Sequence, residues 1–313
     1  MENRATPERP LFNKVILIGV GLIGGSFALS LKKAKAVAHI VGLDRHVTSL
    51  EVAKRLGIID SAVDSFSEDL ASVIADADLI LLATPVAQTA KILAAIYPHL
   101  QSHTIITDAG STKADVVAAA RRELKEKIAQ FVPAHPIAGR EKNGPEAALP
   151  DLYVGKKTVI TRLSENSDES VKLVEQAWQL CGAIIHHLSA EEHDQVFASV
   201  SHLPHLLAYT LVADIAAKPH ADRLFQYAAS GFRDFTRIAG SSPEMWRDIS
   251  VANRDALLKE LDSYTEQLAV LRTHLQNADA AAMEAIYRRA QEARLNWISA
   301  IEAAEAQRRD GGD

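Results

Sequence analysis

The residue most suited to proton chemistry in this sequence is a histidine held between two prolines. The stretch PAHPIAGRE, residues 133–141, carries His135 in an apolar context. Proline fixes its own backbone angle and keeps the residue before it extended, so the imidazole is held in one direction. An imidazole titrates near neutral pH and can accept a proton and release it again. His135 is therefore a candidate proton acceptor; the alternative is a turn with an incidental polar side chain.

Two arginines are candidates for binding a carboxylate. Arg233 and Arg237 occur in FRDFTRIAGSSPEMW, residues 232–246, and a spacing of four puts them on one face of a helix. The planar guanidinium matches a carboxylate with two parallel hydrogen bonds. For Arg233 we favour the simpler interpretation of a surface charge. Further along, Ser242 before Pro243 is typical of a helix start.

A pair of histidines lies in SHLPH. His202 and His205 are three residues apart on one helix face, and Pro204 between them predicts a kink that frees a carbonyl group. The rings are either core histidines with internal hydrogen bonds or metal ligands, but no third ligand is apparent. The one cysteine, Cys181, excludes an intrachain disulfide, and no Cys/His spacing is of metal-site type. The sequence therefore predicts no metal site.

The segment KVILIGVGLIGGSFALSLKKA fits a dinucleotide-binding turn. A strand leads into the pattern G-x-G-x-x-G at Gly19, Gly21 and Gly24, and a helix follows. The first glycine permits the tight turn, the second lets a pyrophosphate approach the backbone, and the third lets helix and strand pack closely. Leu22 and Ile23 begin the helix, whose free N–H groups would hold the phosphates.

An acidic residue follows at the spacing expected for a ribose ligand. Asp44 ends the second predicted strand, 20 residues after Gly24. A carboxylate at this place accepts hydrogen bonds from the ribose hydroxyls and would repel a 2′-phosphate, although Arg45 beside it could accommodate one. We therefore expect NAD as the cofactor, with NADP less suitable.

Short β-type runs alternate with helical stretches from residue 14 to about residue 188, which predicts a mostly parallel sheet covered by helices. Beyond this point the pattern is helical almost throughout. We expect an α/β Rossmann-like domain at residues 1–188 and an all-α substrate-binding and dimerisation domain at residues 189–313. The predicted strands are residues 14–19, 39–44, 79–84, 104–109, 131–135, 157–162 and 183–188.

The carboxyl ends of these strands mark the expected ligand site, because open parallel sheets bind ligands beyond that edge. Thr84, Pro85 and Asp108 end two of the strands, and we expect them beside the cofactor. Ser111 either caps the next helix or contacts substrate or His135. His135 ends the predicted strand at residues 131–135, at the same edge of the sheet, which would put it over the nicotinamide end.

The composition limits the class of protein. With 313 residues, 48% hydrophobic and 24% charged, the chain suits one or two domains with substantial cores. A net charge of −6 disfavours a nucleic-acid binder. The first ten residues lack a signal-peptide core, and the apolar run at residues 196–217 contains polar residues that predict a buried helix rather than a membrane span. We expect a cytoplasmic protein whose apolar helices pack against a second subunit.

Five motifs, taken together and in this order, resemble the prephenate/arogenate dehydrogenase family of tyrosine biosynthesis. They are GVGLIGGS, DAGSTK, HPIAGRE, SHLPH and FRDFTRIA, and the resemblance extends from residue 12 to about residue 305. Many dehydrogenases share the first motif, whereas HPIAG combined with FRDFTRIA is much more specific. The resemblance implies a homodimer that oxidises prephenate or arogenate, with loss of CO₂ and hydride transfer to NAD.

The resemblance also implies roles for individual residues. His135 would accept or polarise the proton of the substrate 4-hydroxyl, as the histidine of this motif does in the family. Arg237 would bind the ring carboxylate, and Asp234 could orient its guanidinium. The face of the helix that carries His202 and His205 would line the substrate or nicotinamide site.

Three further residues bear on the pocket and its substrate. The resemblance places Trp246 near the pocket, although simple core packing would also explain it. Many relatives carry a small hydroxyl residue where this chain has Arg140. A cation there favours prephenate, whose side chain ends as an anionic keto acid, over arogenate, which also carries an ammonium group. Glu141 argues the other way, so the residues leave the two substrates open.

Two other functions fit parts of the pattern. A β-hydroxyacid dehydrogenase or imine reductase shares the two-domain plan, but such hydroxyacid enzymes usually use a lysine in the helical domain, and residues 190–217 contain none. A non-catalytic NAD-sensing protein would need only the cofactor site. Such a protein would tolerate loss of His135, whereas an enzyme would not.

Overall fold

The described residues divide into two compact units, one that ends at Leu257 and one that begins at Leu258. The computed structural model describes residues 10–64, 70–140 and 142–310.

Strands and helices alternate through most of the first unit. The strands are β1 (Phe12–Ile18), β2 (Val37–Asp44), β3 (Ser61–Asp64), β4 (Leu79–Leu82), β5 (Ile105–Asp108), β6 (Phe131–Val132), β7 (Ala134–Pro136), β8 (Lys157–Ile160) and β9 (Ile184–His187). The helices are α1 (Leu22–Lys33), α2 (Val47–Arg55), α3 (Leu70–Ile74), α4 (Thr89–Ile96), α5 (Ala114–Leu124), α6 (Asp168–Leu180), α7 (Ala190–Phe197), α8 (Leu203–Ala216), α9 (Ala221–Gln226), α10 (Ser230–Thr236) and α11 (Pro243–Ala252).

The main sheet is parallel throughout and has the order β3-β2-β1-β4-β5-β6. Its central strands are continuous apolar runs, FNKVILI in β1 and LILL in β4, because helices cover both faces. The strand order reverses between β1 and β4, which opens a crevice at their carboxyl ends. The predicted parallel α/β sheet is confirmed, and β3, a short polar strand, is added to it.

The predicted strand at residues 131–135 is in fact two strands that belong to different sheets. Pro133 has no N–H to donate and separates β6, which pairs with β5, from β7, which pairs antiparallel with β8. The Pro133 carbonyl accepts a hydrogen bond from the Thr161 N–H at 2.9 Å. His135 follows β6, the sixth strand of the main sheet, after Pro133 and Ala134, but it lies inside β7 of a small separate sheet of order β7-β8-β9.

One face of the main sheet packs on a cluster of large aromatic side chains. Trp178 of α6 is fully buried, with its ring centroid 4.7 Å from that of Phe27 and 5.2 Å from that of Tyr153. The Tyr153 hydroxyl donates to the Ile23 carbonyl at 2.6 Å. This cluster fixes α1, and hence the glycine turn before it, against α6.

The apolar stretch after β9 forms one helical run, Ala190–Ala216, which is long and apolar enough by length and composition to cross a membrane. A π-helical turn at Ala198–His202 interrupts it immediately before Pro204, where the sequence predicts a kink. The expectation of a buried helix is only partly met, since 28% of its most apolar window is buried within the chain. Several of its side chains instead line a cavity.

A buried polar network ties this run to α11. His202 is 1% exposed, and its Nδ1 lies 3.0 Å from the Asn253 amide nitrogen, which also donates to the Asp194 carbonyl at 2.7 Å. Burial lowers the pKa of His202 from 6.5 to about 4. The ring is therefore neutral at pH 7 and accepts the amide hydrogen bond at Nδ1.

The second unit consists of helical segments. Helix α12 (Arg254–Gln276) begins in the first unit and continues into the second, which also holds α13 (Ala280–Asp310). Both helices carry large apolar side chains that this unit does not bury within itself. They include Leu268, Leu275, Tyr287, Leu295 and Trp297.

Loss of the buried indole should destabilise the first unit. Trp178→Ala removes a ring that packs between two aromatic neighbours, so we expect a loss of about 3–5 kcal/mol in the free energy of unfolding. Leu180→Ala, on the same helix but 42% exposed, should change it by less than about 1 kcal/mol. Denaturant titration of both variants measures the difference, and equal losses would contradict this account of the core.

Stability should also fall as the pH drops, because the unfolded chain binds a proton at His202 more readily than the folded one. The contribution of neutral His202 is fully present above pH 6.5 and is lost as the pH approaches 4, by up to about 1.4 kcal/mol per pH unit. His202→Asn should unfold more easily at pH 7.5 but lose less stability between pH 7.5 and pH 5. Parallel pH curves for the variant and the wild type would contradict the buried neutral ring.

Candidate active site

The turn between β1 and α1 has the shape of a phosphate cradle. Gly19 has φ +97°, and a Cβ atom there would lie 2.5 Å from the Ala83 carbonyl oxygen. A Cβ at Gly24 would lie 2.3 Å from the Gly19 oxygen, so helix and strand touch there. Gly21 caps α1 and faces open space. The helix start is thus accessible to an anion, as the glycine pattern predicts.

A carboxylate stands across the mouth of this turn. Asp44 accepts a hydrogen bond from the Val20 N–H at 3.1 Å and another from the His46 N–H at 2.9 Å. Arg45 donates from Nε to the His46 ring at 3.0 Å, which ties its guanidinium to the neighbouring side chain. The backbone therefore fixes the Asp44 carboxylate, whose remaining lone pairs can accept from a diol.

These groups line one cavity of about 500 Å³ at the crevice between β1 and β4. The residues fit a dinucleotide, because a glycine cradle for phosphate and a fixed acceptor for ribose lie in the same space. Six of the predicted cofactor-binding residues line it: Gly19, Gly21, Asp44, Arg45, Thr84 and Pro85. Gly24 packs beneath the turn, and the predicted Leu22 and Ile23 line the cavity next to it.

The sequence predicts that Asp108 lies beside the cofactor, but it lines neither this cavity nor the second one described below. Its carboxylate is buried and forms an ion pair with Lys113 at 2.6 Å, itself fully buried. It also accepts from the Gly110 N–H at 2.8 Å and the Ala134 N–H at 3.0 Å. Asp108 thus holds the loop after β5 against the first residue of β7.

A second cavity of about 590 Å³ adjoins the first. The two share Gly21, Ala83, Asn143 and Gly144 in their linings. Predicted site residues from distant parts of the chain meet in the second: Ser111, His135, Arg140, His205, Arg237 and Trp246. A small molecule there would lie next to the phosphate cradle.

In the part of the chain that the structure describes, no group of three His, Cys, Asp or Glu side chains could hold a metal ion.

His135 enters this cavity from β7. Its Nδ1 lies 2.8 Å from Nε2 of His193, and its ring packs edge-on against Phe197 at 4.9 Å between centroids. Burial, with the nearby charges of His193, Lys113 and His202, keeps the pKa of His135 well below 6.5. The ring is neutral at pH 7 and can accept a proton.

The sequence gives no sign of the groups behind His135. His193 is fully buried and contacts Asp194, and both follow a capping box formed by Ser189 and Glu192. In the sequence this segment is typical of an ordinary helix start. Because 58 residues separate His193 from His135, only the fold brings the two rings together.

The opposite wall is formed by α8, α11 and the turn after α10. His205 stacks on Trp246, with 3.5 Å between centroids, and its Nδ1 donates to the Ser201 carbonyl at 2.8 Å. The buried indole N–H of Trp246 has no hydrogen-bond partner among the described residues. Ser242 caps α11 as predicted, with its hydroxyl accepting from the Met245 N–H. The stacked pair of rings therefore lines this wall of the cavity, while the indole N–H itself is buried.

Arg237 and Arg233 differ in their surroundings. Arg237 begins the 3-10 turn after α10 and lines the cavity. Arg233 is 80% exposed and lies 3.5 Å from Asp234, which is 72% exposed. Asp234 thus lies on the outer side of α10 beside Arg233, whereas the sequence predicts that it orients the guanidinium of Arg237.

His202 belongs to the buried network with Asn253 and does not line the cavity, so the core alternative describes it. Glu141 lies outside the described residues.

Comparison with known proteins identifies similar sequences over nearly the whole chain. Residues 27–187 match the family model "Prephenate dehydrogenase, nucleotide-binding domain", and residues 189–289 match "Prephenate dehydrogenase, dimerization domain". The chain is 33% identical over 287 residues to cyclohexadienyl dehydrogenase of Zymomonas mobilis, covering 91% of this chain and 96% of that protein. It is 36% identical over 271 residues to prephenate dehydrogenase of Bacillus subtilis, covering 85% and 71%.

A solved structure agrees. Prephenate dehydrogenase of Aquifex aeolicus, in complex with hydroxyphenyl propionate and NAD⁺, superposes with a TM-score of 0.84 at 34% identity, covering 91% of this chain and 98% of that one. The resemblance inferred from the five motifs is confirmed. The chain belongs to the prephenate dehydrogenase family.

Proposed function

We propose that the protein is an NAD-dependent prephenate dehydrogenase that converts prephenate to 4-hydroxyphenylpyruvate and CO₂. One observation carries the proposal: His135 and Arg237 line a single cavity that adjoins the dinucleotide cradle. The related Aquifex aeolicus enzyme binds NAD⁺ and hydroxyphenyl propionate, a ring compound with a carboxylate side chain. Both ligand classes suit the two adjoining cavities.

The reaction needs one proton acceptor and one carboxylate anchor from the protein. The hydroxyl proton passes to Nε2 of His135, the bond from the ring to its carboxylate breaks to release CO₂, and the ring becomes aromatic. The bound dinucleotide supplies the acceptor for the hydride that leaves C4. Arg237 holds a substrate carboxylate by charge-assisted hydrogen bonds. Ser111 lines the same cavity, and we assign to it a contact with the substrate hydroxyl or with His135.

The cations of the cavity suit prephenate. Prephenate carries two carboxylates, and Arg140 and Arg237 both line the space. Arogenate replaces the keto group by an ammonium, which two guanidiniums oppose, so we assign arogenate as the slower substrate. NAD is preferred over NADP because the fixed Asp44 carboxylate opposes a 2′-phosphate.

The organisation of the whole protein follows from the same proposal. Residues 1–188 bind the cofactor and supply His135 and Arg140 to the substrate cavity, while residues 189–313 complete that cavity and form a homodimer in the cytoplasm. The match to the dimerization-domain model and the uncovered apolar side chains of α12 and α13 support self-association. The family match over both segments argues against the β-hydroxyacid dehydrogenase, imine reductase and NAD-sensor alternatives.

The direct test measures reduced nicotinamide with each pair of substrate and cofactor. The wild type should turn over prephenate with NAD⁺ fastest, with slower reaction of arogenate and of NADP⁺. His135→Asn should lower kcat on the order of 10²–10⁴-fold while binding NAD⁺ normally. No turnover of prephenate or arogenate would overturn the proposed function, and an unchanged kcat in His135→Asn would overturn the role of the imidazole.

A matched pair of variants tests the carboxylate anchor. Arg237→Ala should raise the KM for prephenate on the order of 10²-fold, because a carboxylate in the cavity loses its charged partner. Arg233→Ala, four residues earlier and 80% exposed, should leave KM within about twofold. The dissociation constant for NAD⁺ should be unchanged in both. Equal effects of the two substitutions on KM would contradict the assignment.

A further inference from the structure

A chain of three side chains runs from the cavity into the interior behind His135. Nδ1 of His135 lies 2.8 Å from Nε2 of His193, and Nδ1 of His193 lies 2.8 Å from Oδ1 of Asp194. Neither His193 nor Asp194 lines the cavity. They therefore cannot touch a substrate bound in the cavity, and we consider their effect on it through His135.

The far end of this chain is fixed by backbone. Oδ1 of Asp194 accepts from the Lys113 N–H and Oδ2 from the Ala114 N–H, both at 2.8 Å, at the start of α5. These bonds, together with the His193 ring, hold the pKa of Asp194 below its usual value despite burial. An ionised carboxylate has only acceptor sites. The hydrogen between Asp194 and His193 must therefore be on Nδ1 of His193.

That assignment propagates along the chain. A neutral imidazole carries one hydrogen, so a hydrogen on Nδ1 of His193 leaves its Nε2 as an acceptor. The partner of this acceptor, Nδ1 of His135, must then be the donor. Neutral His135 is left with a lone pair on Nε2, and no described residue forms a hydrogen bond with that atom.

We propose that His193 and Asp194 are positioning residues that hold His135 in the tautomer with hydrogen on Nδ1 and the basic lone pair on Nε2. Without them the tautomer with hydrogen on Nε2 would present a donor to the substrate hydroxyl and could not accept its proton. The proposal deepens the proposed function and rests on it for its catalytic meaning, whereas the tautomer can be observed without turnover.

The charges around the pair agree with two neutral rings. Burial lowers the pKa of both histidines. The nearby charges of His193, Lys113 and His202 lower the pKa of His135 further. Asp194 and Asp108 act in the opposite direction on His193. When His135 takes the hydroxyl proton, Nδ1–H continues to donate to His193, and the Asp194 charge lies one imidazole away. The added positive charge is thus stabilised without a second proton transfer.

Nitrogen-15 NMR of histidine-labelled enzyme tests the tautomer directly. The signals of His135, assigned by their loss in His135→Asn, should show a protonated Nδ1 and an unprotonated Nε2 at pH 7.5. In His193→Leu the His135 ring should shift toward the form protonated on Nε2. A wild-type ring protonated on Nε2 would overturn the inference, whether or not the enzyme oxidises prephenate.

Kinetics test the consequence for catalysis. His193→Leu should lower kcat on the order of 10²-fold with little change in the KM for prephenate or the affinity for NAD⁺. His193→Gln, whose amide oxygen can accept from Nδ1 of His135, should recover most of the loss. His187→Leu, an exposed histidine on β9, is the control and should leave kcat unchanged.

The two variants separate positioning from structural damage. A kcat of His193→Leu within about threefold of the wild type would contradict the proposal, as would a His193→Gln enzyme no better than His193→Leu. If His193→Leu fails to bind NAD⁺ or to give a wild-type circular dichroism spectrum, His193→Gln decides alone. It must then retain the Nδ1-protonated ring of His135 and at least about a tenth of the wild-type kcat, and failure of either would overturn the proposal.

Discussion

The buried carboxylate of Asp194 is the contact on which the geometry of the cavity depends. It accepts the first backbone N–H groups of α5, next to the dinucleotide-binding sheet, while its own helix α7 begins the apolar helical run. Helix starts need acceptors, and a buried charge needs donors, so each satisfies the other. The same contact brings His193 against His135 and, through the Asp194 carbonyl, engages Asn253 of the segment after α11. The two walls of the substrate cavity are thus fastened at one point.

Local sequence patterns are sufficient for much of this arrangement. The glycine turn, the acidic end of β2 and the interruption of the α-helix before Pro204 each depend on neighbours within one strand and one helix, and the structure contains all three. His135 and Arg237 could be singled out because few other residue types suit a proton acceptor and a carboxylate anchor. That they meet in one cavity could be predicted only from the resemblance to a family, since 102 residues separate them.

Features that depend on distant partners could not be predicted in this way. His193 and Asp194 look like the first turn of an ordinary helix, and nothing local shows that a second histidine packs against them. Asp108 ends a strand, as a cofactor ligand would, but its charge is neutralised by Lys113 in the interior. Asp234 has the right spacing from Arg237, yet faces outward beside Arg233. In each case the tertiary neighbours decide the role of a charged group, and those neighbours are not encoded in spacing.

The division of residues 131–136 between two sheets has a consequence for how the family can vary. His135 pairs with Val159 across an antiparallel ladder of three residue pairs, and side chains alternate between faces along such a ladder. Sliding β7 by a single residue would present a methyl group or a pyrrolidine ring where the imidazole now stands. Insertions between β7 and β8 are therefore tolerable only if they leave this short ladder in register. The connecting segment can change length only where it does not line the two cavities, whereas the three residues before it cannot change at all in length.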